Sequence, residues 1–592
     1  MAELTVPPGG GWLVADAEPE GVFTPEQFEA DARLMARTAE DFLRRDVLPQ
    51  VERIEAGDHD LMRDLMRRAG VLGLLGAEVP EVYGGLGLDS RTGALLAEKL
   101  NWQQSFALTH EAHTVIATLP LLWFGTHAQK SRYLPRLASG EWIGAFALSE
   151  PESGSDALGA KTRADLSADG THYVLNGTKA WITNTAFADL FTVFAKAGGE
   201  RFTAFLVERG LPGISFGREE RKLGMHGTST RRVVLENVRV PVENRLGEEG
   251  KGHYAALCAL NLGRFKLEAG AVGGLKETLA VCARYARERR QFGRPLASYG
   301  LIQAKLGEMA ARTFGLESAV YRLAGMLDEG FSGIQADAPD ASLRYHRAAE
   351  EHALECSIVK VVGSELYSWA TDEGIQIHGG YGYTEEFPMA RAWRDQRLLR
   401  IGEGANEVVR LAIVNTLLRR ASAGRIPLEP ALNTAAHATA EEPAPGFHQA
   451  THAARIKTAA LALLGRARQR FGDGLSEEQE VCAAIADLMG AAFVVESAWL
   501  RLRRLKERDF RSRASSLAEH AALLCTEWAR RETLPQTEAA LLRVSRTGRL
   551  DSEDMRPLYP LMAARTGADA IGLRRELARA VLDAEGWPWP DW

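Results

Sequence analysis

Thr171-His172-Tyr173-Val174-Leu175-Asn176-Gly177 is a short strand-like run ending in a turn signal. Leu190-Phe191-Thr192-Val193-Phe194-Ala195 and Arg232-Val233-Val234-Leu235 are of the same kind, with Gly, Asn and Asp turns between them. Short apolar or alternating runs bounded by such turns read as strands. A β-domain over 145–250 is therefore predicted. Both flanks carry helical periodicity instead. Upstream, Thr24-Pro25-Glu26-Gln27 supplies an N-cap hydroxyl, a proline at the first helical position and a glutamine at the third, with Phe23 and Phe28 placed to staple the entry. A helical domain over 24–144 follows an N-terminal extension, 1–23, and is broken by the Gly/Pro loop Val79 to Leu88. Downstream, helical patterns run from Leu260 to Arg289, through Leu301 to Leu306 and from His352 to about Asp372, giving a second helical domain over 251–420. An Ala/Pro/Glu-rich stretch, 421–450, reads as a linker to a last helical region, 451–592. The fold class is mainly α with an inserted β-domain.

Composition limits what such a chain does. Of 592 residues, 46% are hydrophobic and 25% charged, the balance of a globular protein. A net charge of -7 offers no basic face, so nucleic acid is not expected as a partner. The five cysteines are odd in number, widely spread and without metal-ligand spacing, which points to free thiols in a reducing compartment. The first residues lack a signal-peptide or organelle-presequence pattern, and no apolar run reaches the ~18 residues that cross a bilayer. A cytoplasmic location is expected.

Five segments carry chemistry. Arg400-Ile401-Gly402-Glu403-Gly404-Ala405-Asn406-Glu407 puts a carboxylate on a glycine-bracketed turn just before a helical apolar run, so Glu403 is the candidate catalytic base. Phe146-Ala147-Leu148-Ser149-Glu150-Pro151-Glu152-Ser153-Gly154-Ser155-Asp156 joins a strand to a small-residue loop suited to phosphate or a heteroaromatic edge. Trp181-Ile182-Thr183-Asn184 offers a flat indole with a hydroxyl two residues on, for stacking with a polar contact at the edge. Arg289-Arg290-Gln291-Phe292-Gly293 has the charge to bind an anion. Gln376-Ile377-His378-Gly379-Gly380-Tyr381-Gly382 pairs a polar group with close backbone approach.

In this order and spacing, over about residues 25–420, these segments resemble the acyl-CoA dehydrogenase family. The region after the linker resembles the appended domain of its very-long-chain branch. The resemblance implies a helical N-domain, a β-barrel or sandwich middle domain and a four-helix bundle, with FAD as cofactor. It assigns Phe146, Leu148, Ser149 and Ser155 to FAD through backbone and hydroxyl contacts, and Trp181 and Thr183 to the flavin ring. Arg289, Gln291, Phe292, Gln376, Gly379 and Gly380 fall where a neighbouring subunit reaches the FAD, implying a homodimer, with a homotetramer as the alternative. Ala405 and Glu407 belong to the cofactor site, and Ser155, Asn261, Arg264 and Gly404 to the substrate site. Glu403 matches the base; the place that holds the base in some branches is Gly263 here.

The implied reaction is α,β-dehydrogenation of an acyl-CoA, with long chains favoured because of the appended domain. Electrons would pass to an electron-transferring flavoprotein. Two departures stand out: Gly402, where relatives often carry an aromatic wall, and Ala405, where a hydroxyl commonly meets flavin. With Ala117 and Pro120 they blur the reading of the acyl cavity. An acyl-CoA oxidase and a non-catalytic flavoprotein scaffold are the alternatives. The segment 453–468 has the apolar and basic positions of a membrane-surface helix, but packing on its own domain is favoured. The ending Trp587-Pro588-Trp589-Pro590-Asp591-Trp592 has no evident role.

Overall fold

The structure is a computed structural model that describes residues 8–438, 451–545, 548–550 and 555–590. Its N-terminal domain is helical: α1 (Ala30–Phe42), α2 (His59–Val71), α3 (Ser90–Leu100), α4 (Gln104–Glu111) and α5 (His127–Ala138). The Thr24–Gln27 capping box forms as expected, and the Phe23 and Phe28 rings meet edge to face at 5.1 Å. It closes a single 3-10 turn rather than opening the helix read from it. Glu26 in that turn is drawn inward to Arg501, whose Nε donates to its Oε1 at 2.9 Å, and the chain re-enters helix only at Ala30. Beyond α4 the backbone widens to a π-helical turn, Ala112–Ala117, before resuming as Thr118–Phe124. Such widened turns tend to mark functional sites.

The predicted β-domain is a mixed sheet. Its strands are β1 (Gly144–Ala147), β2 (Arg163–Leu166), β3 (His172–Thr183), β4 (Leu190–Ala197), β5 (Arg201–Glu208), β6 (Ile214–Phe216), β7 (Thr230–Pro241) and β8 (Arg245–Leu246). They run in the order β6-β7-β3-β2-β4-β5-β8, with β1 pairing parallel to β4. The strand that opened the sequence reading, β3, is the longest together with β7, and it breaks register with β7 twice, between Leu175 and Gly177 and between Lys179 and Ile182. Bulges re-aim side chains at the cost of ladder bonds.

The second helical domain holds α6 (Gly252–Glu288), α7 (Gly300–Phe331), α8 (Ala353–His378) and α9 (Asn406–Ser422). The predicted linker is partly folded. Helix α9 continues into it, and α10 (Leu428–Ala435) buries Leu428 and Leu432; residues 439–450 lie outside the described residues. Apolar contact won there over the Ala/Pro/Glu composition that read as linker.

The last region comprises α11 (His452–Phe471), α12 (Gln479–Arg508), α13 (Arg513–Val544) and α14 (Ala570–Ala584). It is fused to the bundle by buried charges. Arg322 of α7 meets Glu496 of α12 at 2.9 Å, and Arg501 of α12 meets Glu317 of α7 at 2.5 Å. Helix α12 is long and apolar enough to cross a bilayer, yet 89% of its most apolar window is buried by protein. The segment 453–468 likewise packs inward, with Ile456, Leu461 and Leu463 buried. The N-terminal extension is embedded too: Glu355 accepts from Gly10 N at 2.6 Å and Trp12 Nε1 at 3.0 Å, and the Trp12 ring lies 4.9 Å from Phe493. The tryptophan-rich ending gains a role, since Trp589 is buried against Phe314, and its Nε1 donates to the Ala514 carbonyl at 3.2 Å.

Candidate active site

Glu403 stands on the turn that feeds α9. Its φ of 54° is in the left-handed region, which costs a non-glycine residue of order 1–3 kcal/mol unless its surroundings hold it. They do. Arg264 Nε donates to the Glu403 carbonyl at 2.9 Å, and Lys360 Nζ donates to the Gly404 carbonyl at 2.6 Å and to Asn406 Oδ1 at 2.7 Å. Gly404 has φ 103°, so glycine is required there. Gly402 is not bound in this way: a Cβ on it would meet nothing nearer than the Leu398 carbonyl at 3.6 Å.

The carboxylate itself faces inward. Glu403 Oε2 is buried without a hydrogen-bond partner, although the residue as a whole keeps partial solvent access. A Cβ on Gly263 of α6 would lie 3.1 Å from that oxygen and 3.3 Å from Ile116 on the π-helical turn. The carboxylate therefore rests on bare helix backbone. Burial raises its pKa to about 7, opposed by Arg264 and then Lys360. Burial likewise pushes Lys360 down to about 8, with Glu268 the largest opposing charge.

A narrow cavity of about 20 Å³, with room for about one water, lies beside Glu111 and Lys266. Leu74, Val79, Gly93, Glu111, Leu119 and Lys266 line it. The side chain missing at Gly93 leaves space for Lys266 Nζ, which pairs with Glu78 at 2.9 Å. Glu111 is pushed up to about 8 by burial, with Lys266 opposing and Glu403 adding.

The cofactor candidates fall into two clusters. In the first, the loop after β1 is sewn to β3. Lys179 Nζ donates to the Leu148 carbonyl at 3.1 Å and pairs with Glu150 at 2.7 Å, while Ala180 N donates to the Ser149 carbonyl at 2.9 Å. Trp181 follows in the second bulge, at φ 62° and 61% exposed. Phe146 and Leu148 are buried, Ser149 and Thr183 half-buried, and Ser155 exposed. A large flat ring turned outward at a strained position, beside carbonyl and hydroxyl groups, fits a planar heteroaromatic ligand such as a flavin.

The second cluster unites Arg289, Gln291 and Phe292 with Gln376, Gly379 and Gly380. The Tyr285 ring stacks on His378 at 4.2 Å, and Arg289 lies over Tyr381 at 5.4 Å. All six residues are exposed, Phe292 at 94%. Asn261 and Arg264, expected at the substrate, hydrogen-bond within the bundle. Asn261 Nδ2 donates to the Ala349 carbonyl at 3.4 Å, and Arg264 Nη1 donates to Asn261 Oδ1 at 3.2 Å. Arg264 thus holds the Glu403 loop. Ala405 caps α9, and Glu407 is exposed in its first turn.

Lys360, Glu111 and the Glu78–Lys266 pair were not singled out in the sequence. A signal exists for Lys360: it interrupts the apolar run Ile358-Val359-Lys360-Val361-Val362, where an ammonium is buried only with partners.

Comparison with known proteins matches the acyl-CoA dehydrogenase N-terminal domain to residues 29–141, the middle domain to 145–238 and the C-terminal domain to 250–418. A second model, also described as an acyl-CoA dehydrogenase C-terminal domain, matches 455–540. A "Probable acyl-CoA dehydrogenase" of Bacillus subtilis is 42% identical over 588 residues, covering 98% of each chain. The chain belongs to the acyl-CoA dehydrogenase family. A crystal structure of an acyl-CoA dehydrogenase complexed with FAD from Bacillus anthracis superposes with a TM-score of 0.93 at 40% identity, covering 98% of this chain and 100% of that one. The human very long-chain specific acyl-CoA dehydrogenase is 41% identical over 352 residues, 58% of this chain and 51% of its own. The B. subtilis and B. anthracis relatives, unlike the human match, extend across the appended helices, so family membership covers the whole architecture.

Proposed function

We propose that this acyl-CoA dehydrogenase removes the α-proton of an acyl-CoA with Glu403 and yields the trans-2-enoyl-CoA, as in fatty-acid β-oxidation. The observation that carries the reading is the unpartnered, buried Glu403 Oε2 resting on Gly263. A thioester α-hydrogen is far too weakly acidic for a solvated carboxylate, so the base must be desolvated and the enolate oxygen must find donors. Burial accomplishes the first, holding Glu403 near neutrality. For the second, the Glu403 N–H makes no hydrogen bond among the described residues and is free to donate. Arg264 and Lys360 fix the loop, so the base is aligned before substrate arrives.

FAD is the cofactor, and when bound it accepts the β-hydrogen as hydride. Phe146, Leu148, Ser149, Ser155, Trp181 and Thr183 would hold it from this chain. Arg289, Gln291, Phe292, Gln376, Gly379 and Gly380 would reach it from a second copy in a homodimer. A long acyl chain, an electron-transferring flavoprotein as acceptor and a cytoplasmic location complete the reading. The likeness to the human very-long-chain enzyme supports the first, and five free, buried cysteines agree with the last.

The test is to add palmitoyl-CoA to the flavin-loaded protein without oxygen, alongside Glu403→Gln. Bleaching of the flavin in the parent and not in the variant is expected. Bleaching by neither, at any acyl length, would overturn the reading in favour of a scaffold. Rapid peroxide formation once oxygen is admitted would mark an oxidase.

A further inference from the structure

The carbonyl of Gly404, next to the base, is held by Lys360, and Lys360 is itself held from outside the catalytic bundle. Asn406 is the joint. Its Oδ1 accepts from Lys360 Nζ at 2.7 Å, while its Nδ2 donates to Glu365 Oε1 at 3.2 Å and to Ser364 Oγ at 3.1 Å. Arg410, one turn further along α9, shares that Glu365 oxygen, with Nη2 at 2.8 Å. Its Nε donates to Asp487 Oδ1 at 2.7 Å. Asp487 belongs to α12 of the appended domain.

We propose that Asp487 is a positioning residue for the base, reaching Glu403 through Arg410, Glu365, Asn406 and Lys360. The inference rests on the reading of Glu403 as the base. Both ends of Arg410 are occupied by carboxylates. If the carboxylate at Nε is neutralised, the guanidinium keeps one anionic partner, Glu365, and draws it from Asn406. The amide then turns, Lys360 loses its Oδ1 acceptor, and the clamp on the Gly404 carbonyl loosens. An exposed ion pair would transmit little. This one is part of a side-chain network whose middle members, Asn406, Ser364 and Lys360, are buried, where the parts act as a unit. The appended domain is therefore wired to the catalytic turn, and the wire is polar, not a matter of packing alone.

Four full-length flavin-loaded variants test it: Asp487→Asn, Asp487→Glu, Glu496→Gln and Glu403→Gln. Glu496 sits in the same helix and the same interface, but pairs with Arg322 and Lys457, outside the network. The readouts are the rate of anaerobic flavin reduction by the acyl-CoA that bleaches the parent fastest, the isotope effect with its α-dideuterated form, flavin content and the substrate's KM. Asp487→Asn is expected to slow reduction roughly tenfold and enlarge the isotope effect, with flavin content and KM unchanged. Asp487→Glu is expected to restore part of the rate, and Glu496→Gln to keep the parent rate even if it melts earlier. An unaltered rate in Asp487→Asn, or an equal loss in Glu496→Gln, overturns the proposal. If Asp487→Asn does not fold, Asp487→Glu and Arg410→Lys decide, and parent rates in both overturn it. Bleaching that survives Glu403→Gln would instead remove the base, and with it the premise.

Discussion

At the scale of single residues the protein invests in one carboxylate. Glu403 is strained at φ 54°, buried at Oε2 and raised to about 7: Arg264 and Lys360 hold its turn, and burial raises its pKa against their charges. The pH consequences follow. The rate constant for reaction of free enzyme with substrate should rise with pH through about 7, as the base loses its proton, and stopped-flow flavin reduction between pH 5.5 and 8.5 checks this. Stability should move the other way. An unfolded glutamate ionises near 4.5, whereas the folded one keeps its proton to about 7, so between these values the unfolded state binds fewer protons and stability falls as pH rises. Glu403→Gln should thus gain about 1–2 kcal/mol at pH 8, after discounting the partial solvent access, and melt about 1–2 °C higher, the gain shrinking toward pH 5. Gly263→Ala separates stability from rate. Alanine favours the helix by ~1 kcal/mol, but its Cβ would arrive 3.1 Å from Glu403 Oε2. Flavin reduction should slow by about tenfold in a protein no less stable than the parent. The candidate base was singled out in the sequence by its glycine-bracketed turn before a helix together with the family resemblance. The groups that hold it were not, because Arg264, 139 residues away, and Lys360, on another helix, meet it only in space.

At the scale of elements, the β3 strand shows what periodicity conveys and what it hides. Its apolar pattern predicted a strand, and a strand is present, but it does not close at Asn176-Gly177 as read: it bulges there and runs on to Thr183. The first bulge carries a signal in Gly177, which has φ 156° and no room for a Cβ; the second was invisible, since Trp181 takes a left-handed φ against its own preference. Trp181→Gly would relieve that strain while removing the stacking surface. The expected outcome is an apoprotein that melts no lower than the parent's apoprotein and, once loaded, retains several-fold less FAD after gel filtration, read from the visible absorbance. The N-terminal capping box teaches the converse. Its residues signalled a helix start correctly in chemistry, but the helix was cut to one turn because Glu26 found Arg501, 475 residues away.

The whole molecule is best understood through its charges and its exposed rings. Local pattern separated the β-domain from the helical ones, yet the linker and the N-terminal extension looked like connections and are in part structure: α10 and Trp12 both pack on the appended region. Their apolar residues are too few to read as helix or core without partners. One surface stays open on this scale. Phe292, Leu301 and Tyr383 are 94%, 81% and 85% exposed, close in the chain to Arg289 and to the glycines at 379 and 380. Large apolar side chains left in water at this position would suit the proposed homodimer contact. A second copy supplies that contact if the six exposed residues serve the flavin of a partner. Phe292→Asp places a charge at the centre of such an interface, where an unpaired carboxylate would have to lose its water. Light scattering on a sizing column should show the parent as a dimer or tetramer and the variant shifted toward monomer. Flavin content per chain should fall in step, because the cofactor would lose the contacts the partner provides. A variant that stays assembled and fully flavinated, or a parent that is monomeric with FAD bound, would mean that one chain holds the whole cofactor and that this face has another use.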